Sequence, residues 1–152
     1  MSAPRVILAI ESSCDESAVA LVRADGLVLA ERVATQAALH ATTGGVVPEA
    51  AARAHHTQLP TLLSGLLDEA TGLGLQSQID AVAVTAGPGL LASLLVGASV
   101  ASGWAWGRGL PIVPINHLEG HLRAAWLHAG AVTERHVPVQ RSEEHTSELQ
   151  SH

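Results

Sequence analysis

The chain has 152 residues, a formal net charge of −6, 47% hydrophobic residues and 14% charged ones. This composition suits one globular domain with a substantial core and excludes a disordered chain. Arg and Lys form no cluster, so the basic surface that nucleic-acid binding normally requires is not in this segment. The single cysteine, Cys14, excludes an intramolecular disulfide, and no basic-then-apolar leader opens the sequence, so we expect a cytoplasmic protein.

The hydrophobic pattern predicts an α/β domain in which three strands come first and helices then alternate with further strands. Pro60 lies inside the first helix and is expected to kink or break it. Strands that are continuous apolar runs are expected to be covered on both faces. Strands are predicted at residues 6–10, 17–22, 27–34, 80–86 and 112–115, and helices at 48–70, 90–106 and 117–128.

The helix at 90–106 is the one segment long and apolar enough to suggest a membrane span. It contains several serines and many small residues, and it follows a strand and a Gly-Pro-Gly turn directly. These features favour a buried core helix, and we expect no association with a membrane.

The residues from Arg141 onward do not continue the α/β pattern. They are polar, and codon for codon they match the translation of a common sequencing-library adapter. We therefore predict one domain over 1–140, which is an N-terminal piece of a longer protein, and a non-native tail over 141–152.

His117 and His121 stand four residues apart at the start of the last predicted helix. Side chains at this spacing lie about 40° apart around the axis, with Cβ atoms roughly 6 Å from each other. The pair could therefore bind one metal ion or one phosphate, although an ordinary hydrogen-bonded pair is the alternative. Glu119 would point roughly 200° away from His117. In the metallopeptidase pattern His-Glu-x-x-His the carboxylate follows the first ligand directly, so the spacing here argues against that mechanism.

The connection between the first two strands is a candidate ligand-binding loop. Its small hydroxylated residues, such as Ser13, would let successive backbone N–H groups face a phosphate or carboxylate. Glu11 and Asp15 could hold a metal-bound water or orient a nucleophile. An ordinary turn explains the same residues, because Ser and Asp favour turns for local reasons.

A second candidate loop, at 85–90, joins a strand to a helix. Gly87 and Gly89 would allow close approach of a ligand to the backbone at the helix N-terminus. The loop is not a Walker motif, since no Gly-Lys-Ser/Thr follows. Glycine at such a turn can also serve packing alone.

Four stretches taken together resemble the TsaD family of tRNA threonylcarbamoyladenosine transferases. They occur in the order and approximate spacing of that family, and the resemblance covers residues 5–128. The stretches are IESSCDES at 10–17, GGVVPE at 44–49, TAGPGL at 85–90 and NHLEGH at 116–121.

The resemblance implies the first lobe of a ribonuclease H-like fold, the class of actin, Hsp70 and the sugar kinases, with a mixed sheet flanked by helices. It also implies an acyltransferase that moves threonylcarbamoyl from threonylcarbamoyl-AMP to N6 of the adenosine 3′ of the anticodon. The substrates would be tRNAs that read codons beginning with A. By the same resemblance His117 and His121 bind one metal ion, Fe(II) or Zn(II). The third ligand is an Asp beyond this segment, so the chain alone is expected to be inactive.

The resemblance further implies protein partners in the complete complex, namely a non-catalytic paralogue and a small ATPase. Three alternatives to the transferase stay open. The chain could be the non-catalytic paralogue itself, which typically lacks the His-x-Glu-Gly-His signature. It could be a metallopeptidase, as an older name of the family suggests. It could also be a sugar or acetate kinase, although those enzymes would carry an Asp-x-Gly-Thr-like hairpin in place of residues 11–15.

Overall fold

The computed structural model describes residues 6–124, and every strand and helix predicted in this range is present. The ends differ from the predicted ones by one or two residues. A short helix at Ala37–Ala41 and one 3-10 turn at Gln76–Gln78 were not predicted. The end of the last helix near 128 and the domain boundary at 140 and 141 lie outside the described residues. The strands are β1 Val6–Glu11, β2 Glu16–Arg23, β3 Val28–Thr35, β4 Ile79–Gly87 and β5 Ile112–Asn116, and the helices are α1 Ala37–Ala41, α2 Pro48–Gly72, α3 Leu91–Trp106 and α4 His117–Ala124.

The strands form one mixed sheet in the order β3-β2-β1-β4-β5. The first three strands are an antiparallel meander, whereas β1 pairs with β4 and β4 pairs with β5 in parallel. The carboxyl ends of β1, β4 and β5 therefore meet at one edge, where ligands usually bind in open α/β sheets. A register shift between Thr85 and Gly87 lies at this edge, and bulges are common beside functional sites.

Helices α2 and α3 pack against each other and against the same face of the sheet. The core between them is aliphatic and includes Leu8, Leu21, Leu59 and Leu66, each fully buried. Burial of one such side chain contributes about 1.5–3 kcal/mol. Alternate residues of β1 are only half-buried. Within residues 6–124 helices therefore cover one face of the sheet, whereas the sequence predicted cover on both faces.

Pro60 was predicted to kink or break helix α2; the helix continues through it, so a break is wrong, and a kink stays a prediction. A proline inside a helix removes one backbone hydrogen bond and costs about 3 kcal/mol or more. Pro60 is on the exposed side of α2, while Leu59 and Leu63 on the other side are buried against the sheet. Because Leu59 before Pro60 and Leu63 after it both pack against the sheet, the helix stays continuous at the proline.

Helix α3 packs against the core along one face, so the predicted buried helix is buried on that face only. Small residues at a spacing of four form its buried stripe, namely Ser93, Gly97, Ala101 and Ala105. Small side chains allow the helix to lie close to β1 and β4. None of the helices between residues 6 and 124 is both long and apolar enough to cross a bilayer.

Candidate functional site

Three connections meet at the carboxyl edge of the parallel strands. They are the β1–β2 loop, the turn between β4 and α3, and the start of α4 directly after β5. This edge brings together Glu11, Ser13, Gly89, His117 and His121, which are all residues that the sequence singled out.

The two histidines face each other through their Nε2 atoms, which lie 2.9 Å apart. Their rings meet edge to face, with centroids 4.3 Å apart. Asn116 fixes the start of α4, because its Oδ1 accepts hydrogen bonds from the backbone N–H groups of Leu118 and Glu119 at 2.9 and 3.2 Å. The predicted pairing of His117 with His121 on one side of the helix is therefore present.

The other ring nitrogen of His117 faces the β1–β2 loop. Its Nδ1 lies 3.1 Å from Ser13 Oγ and 3.4 Å from Glu11 Oε2. The Glu11 carboxylate also accepts hydrogen bonds from the Ser13 backbone N–H and from the Thr85 hydroxyl. Glu11 therefore joins β1, β4 and α4 at one point.

The environment of Glu11 keeps it ionised. Burial raises the pKa of its carboxyl, but hydrogen bonds from Ser13 and Thr85, together with the His117 ring, outweigh burial and hold that pKa below its usual range. A carboxylate at this position supplies negative charge and hydrogen-bond acceptors beside His117 at neutral pH.

The donor set fits two of the ligands of a metal ion. His117 Nε2 and His121 Nε2 face each other, so both could bind one ion. In metal sites the other ring nitrogen of a ligating histidine commonly donates a hydrogen bond to a carboxylate. Among residues 6–124, however, no group of three His, Cys, Asp or Glu side chains could hold a metal. The described part of the chain therefore offers two ligands.

Gly89 lies against the β1–β2 loop. A Cβ at this position would be 2.7 Å from the Ser13 carbonyl oxygen, which accepts a hydrogen bond from Leu90 N–H at 2.8 Å. Gly87 has φ +148°, a conformation that other residues rarely adopt. Gly89 thus has a packing role and Gly87 a conformational one, and the phosphate-binding role predicted for both stays a prediction.

Asp15 is not brought to the histidine pair. Its backbone carbonyl accepts a hydrogen bond from Gln36 N–H at 2.9 Å, and its side chain is half-buried. The role predicted for the Asp15 carboxylate also stays a prediction.

His55 is a residue that the sequence reasoning missed. It is fully buried on α2, with Nδ1 2.7 Å from Ser17 Oγ and Nε2 2.9 Å from the Cys14 carbonyl oxygen. A signal was available, since His55 stands four residues after Ala51 and four before Leu59, both fully buried. That spacing predicts burial but not the polar partners.

Gln36 extends this polar cluster to a second buried histidine. Its Nε2 lies 3.3 Å from His55 Nδ1, and its Oε1 lies 3.1 Å from His40 Nε2. The backbone N–H of Val47, just before α2, donates to His40 Nδ1. The cluster of Ser17, Gln36, His40 and His55 therefore contacts the β1–β2 loop through the His55 ring.

Glu119 pairs with Arg123 one turn further along α4, at 2.8 Å. This pair agrees with the predicted direction of Glu119, away from His117. Glu119 is therefore not placed as the base that follows the first ligand in a His-Glu-x-x-His peptidase.

The mixed sheet, its helices and the ligand edge define a ribonuclease H-like α/β protein, as predicted. YeaZ from Pseudomonas aeruginosa has a similar structure, with a TM-score of 0.59 and 26% identity over 80% of this chain and 48% of that one. Residues 27–139 match the TsaD family, described as tRNA N6-adenosine threonylcarbamoyltransferase. The chain belongs to that family.

Curated proteins with that name are similar to most of this chain. One from Bordetella petrii is 57% identical over 117 residues, which are 77% of this chain and 33% of that protein. One from a Geobacter species is 52% identical over 124 residues, or 82% of this chain and 36% of that protein. The chain thus spans about a third of the length of these relatives.

Proposed function

We propose that this chain carries the metal-binding half-site of a tRNA N6-adenosine threonylcarbamoyltransferase. The reaction would transfer threonylcarbamoyl from threonylcarbamoyl-AMP to N6 of the adenosine 3′ of the anticodon in tRNAs that read codons beginning with A. The observation that carries the proposal is the pairing of His117 and His121 at the ligand edge of the sheet, in a chain of this family.

His117 and His121 would hold one divalent ion, Fe(II) or Zn(II). Such an ion acts as a Lewis acid that polarises a carbonyl or phosphoryl oxygen. Two histidines are fewer than the three protein ligands usual in catalytic zinc sites. We propose that an Asp supplies the third from the part of the relatives' length that this chain does not span, so residues 1–140 alone would be inactive.

The β1–β2 loop and the β4–α3 turn would bind the substrate beside the ion. Glu11, Ser13, Asp15, Gly87 and Gly89 are the candidate residues there. The Ser13 backbone N–H donates to Glu11, so the donors to the phosphate of the adenylate would be the Ser13 hydroxyl and other backbone N–H groups of the two segments. The contact of Leu90 N–H with the Ser13 carbonyl holds the two segments together. The β1–β2 loop and the β4–α3 turn would then together determine the geometry of substrate binding.

The tRNA and the protein partners would meet other surfaces. The chain has no Lys and a net charge of −6, so most of the phosphate contacts of tRNA would come from elsewhere in the complex. A non-catalytic paralogue of the YeaZ type and a small ATPase are the partners we propose. A cytoplasmic location follows from a tRNA substrate and from a chain with one cysteine.

The alternatives have less support. The structural similarity to YeaZ is compatible with a non-catalytic paralogue, but that reading leaves the paired histidines without a role. The ion pair between Glu119 and Arg123 speaks against Glu119 as the base of a peptidase.

The test uses the full-length protein, with its partners, threonylcarbamoyl-AMP and tRNA. Modified adenosine is measured by mass spectrometry of digested tRNA, and bound metal by elemental analysis. His117→Ala and His121→Ala should each remove most of the metal and the modification, while His56→Ala, which changes an exposed histidine, should remove neither. Metal content equal to that of His56→Ala in both variants would refute the site.

A further inference from the structure

We propose that Glu11 is a positioning residue that fixes the tautomer of His117, so that the Nε2 lone pair of this ring faces His121. The proposal rests on the proposed metal site and deepens it. The contacts of the two ring nitrogens carry it.

A neutral imidazole has one protonated nitrogen and one nitrogen that accepts. His117 Nδ1 lies 3.4 Å from a carboxylate oxygen of Glu11, which can only accept. A proton on Nδ1 is therefore favoured, shared between Glu11 Oε2 and Ser13 Oγ, which is 3.1 Å away. The lone pair is then left on Nε2.

The far side of the ring is consistent with this tautomer. His117 Nε2 lies 2.9 Å from His121 Nε2, so one of the two atoms must donate when no ion lies between them. With the lone pair on His117, the donor is His121 Nε2–H. If the proton of neutral His121 moves from Nε2 to Nδ1, the Nε2 lone pairs of both rings become available to one ion.

Glu11 is well suited to impose this orientation because its own position is fixed. It ends β1 beside Thr85 of β4, and the preceding residues Ile10 and Val84 are paired in parallel register. The Thr85 hydroxyl and the Ser13 backbone N–H both donate to the carboxylate. A carboxylate that is hydrogen-bonded at two neighbouring strands can orient the His117 ring better than a carboxylate on a mobile loop could.

The decisive variant is Glu11→Gln. The amide oxygen would take the Oε1 position, where it still accepts from the Ser13 backbone N–H. The amide N–H₂ would take the Oε2 position, where it can donate to His117 Nδ1 and to the Thr85 hydroxyl oxygen. We expect the ring to change from the Nδ1–H to the Nε2–H tautomer. Glu119→Gln is the matched control, because it removes a negative charge two residues from His117 without facing Nδ1.

The tautomer is measured by long-range ¹H–¹⁵N correlation spectra of the metal-free full-length protein, labelled with ¹⁵N-histidine. Wild type and Glu119→Gln should show Nδ1–H at His117, and Glu11→Gln should show Nε2–H. Ser13→Ala should keep Nδ1–H, since Glu11 remains. An Nε2–H form in wild type, or an unchanged tautomer in Glu11→Gln, would overturn the proposal.

A second measurement is titration with Co(II) alone, followed by its visible absorption. Removal of the partner of a ligating histidine typically lowers metal affinity by 10–100-fold. We expect a loss of this size in Glu11→Gln and none in Glu119→Gln. If His117→Ala leaves Co(II) affinity unchanged, the proposed metal site fails, whereas the tautomer in the metal-free protein still tests Glu11. Equal Co(II) affinity of Glu11→Gln and wild type, with His117→Ala impaired, would refute the positioning role.

Discussion

The Nε2 atom of His55 lies 2.9 Å from the carbonyl oxygen of Cys14, and this contact ties helix α2 to the loop beside the histidine pair. A carbonyl can only accept, so His55 donates from Nε2. Its Nδ1 faces Ser17 at the start of β2, which leaves both ring nitrogens with partners inside the protein. The buried ring therefore contacts both the β1–β2 loop and the start of β2.

His55→Ala should destabilise the chain by about 2–4 kcal/mol, because it leaves buried polar groups without partners and opens a cavity. The matched control is His56→Ala on the exposed side of the same helix, which should change stability by less than about 0.5 kcal/mol. Urea denaturation followed by circular dichroism measures both. Similar midpoints for the two variants would contradict a structural role of His55.

Gly89→Ala should separate the β1–β2 loop from the β4–α3 turn, because the new methyl would lie 2.7 Å from the Ser13 carbonyl oxygen. We expect a loss of about 1–3 kcal/mol in the free energy of unfolding. Gly103→Ala is the opposite case, because Gly103 is an exposed helical glycine with open space around it. Its substitution should raise the free energy of unfolding by up to about 1 kcal/mol. Thermal unfolding should therefore shift in opposite directions for the two variants.

Gly97→Ala tests the contact between α3 and the sheet. The added Cβ would lie 2.2 Å from Ser12 Oγ and 3.3 Å from Ser12 Cβ, so the hydroxyl is the main obstacle. Ser12→Ala alone also costs stability, because Ser12 Oγ donates to the Ser93 carbonyl at 2.9 Å. The double variant should be more stable than the sum of the two single effects predicts, by at least about 0.5 kcal/mol. Additive effects in denaturation experiments would argue against this contact.

The isolated 152-residue chain should bind tRNA weakly. With no Lys and a net charge of −6, it offers few phosphate contacts. We expect a Kd weaker than about 1 μM at physiological salt, within the usual non-specific range. Fluorescence anisotropy with labelled tRNA measures this affinity, and tighter binding would show that the chain itself carries a tRNA surface.

Much of the fold could be predicted because its signals are local. Strand and helix positions follow from apolar periodicity, and the His117–His121 pair follows from a spacing of four. Helix α1 was missed because only one of its residues, His40, is buried, so it has no apolar stripe. The continuity of α2 through Pro60 depends on packing against the sheet, which the local sequence does not contain.

The contacts around the site were harder to predict because they join distant residues. His55 meets Cys14 and Gln36, and Glu11 meets His117, across turns and strands whose pairing must be known first. The strand order supplies that information for Glu11, since β1 and β5 both flank β4. Sequence patterns identified Glu11 as a candidate, but its contact with His117 could be found only once the strand order was known.

The parallel arrangement of β1, β4 and β5 also determines when the site can form during folding. Parallel neighbours need long connections, and the contacts of Glu11 with Thr85 and His117 span 74 and 106 residues. Closing such long loops is slow compared with forming a helix. The histidines can approach each other as soon as one turn of α4 exists, but their orientation waits for the last strand to join. Metal binding by the pair would then be a late event that reports a completed sheet.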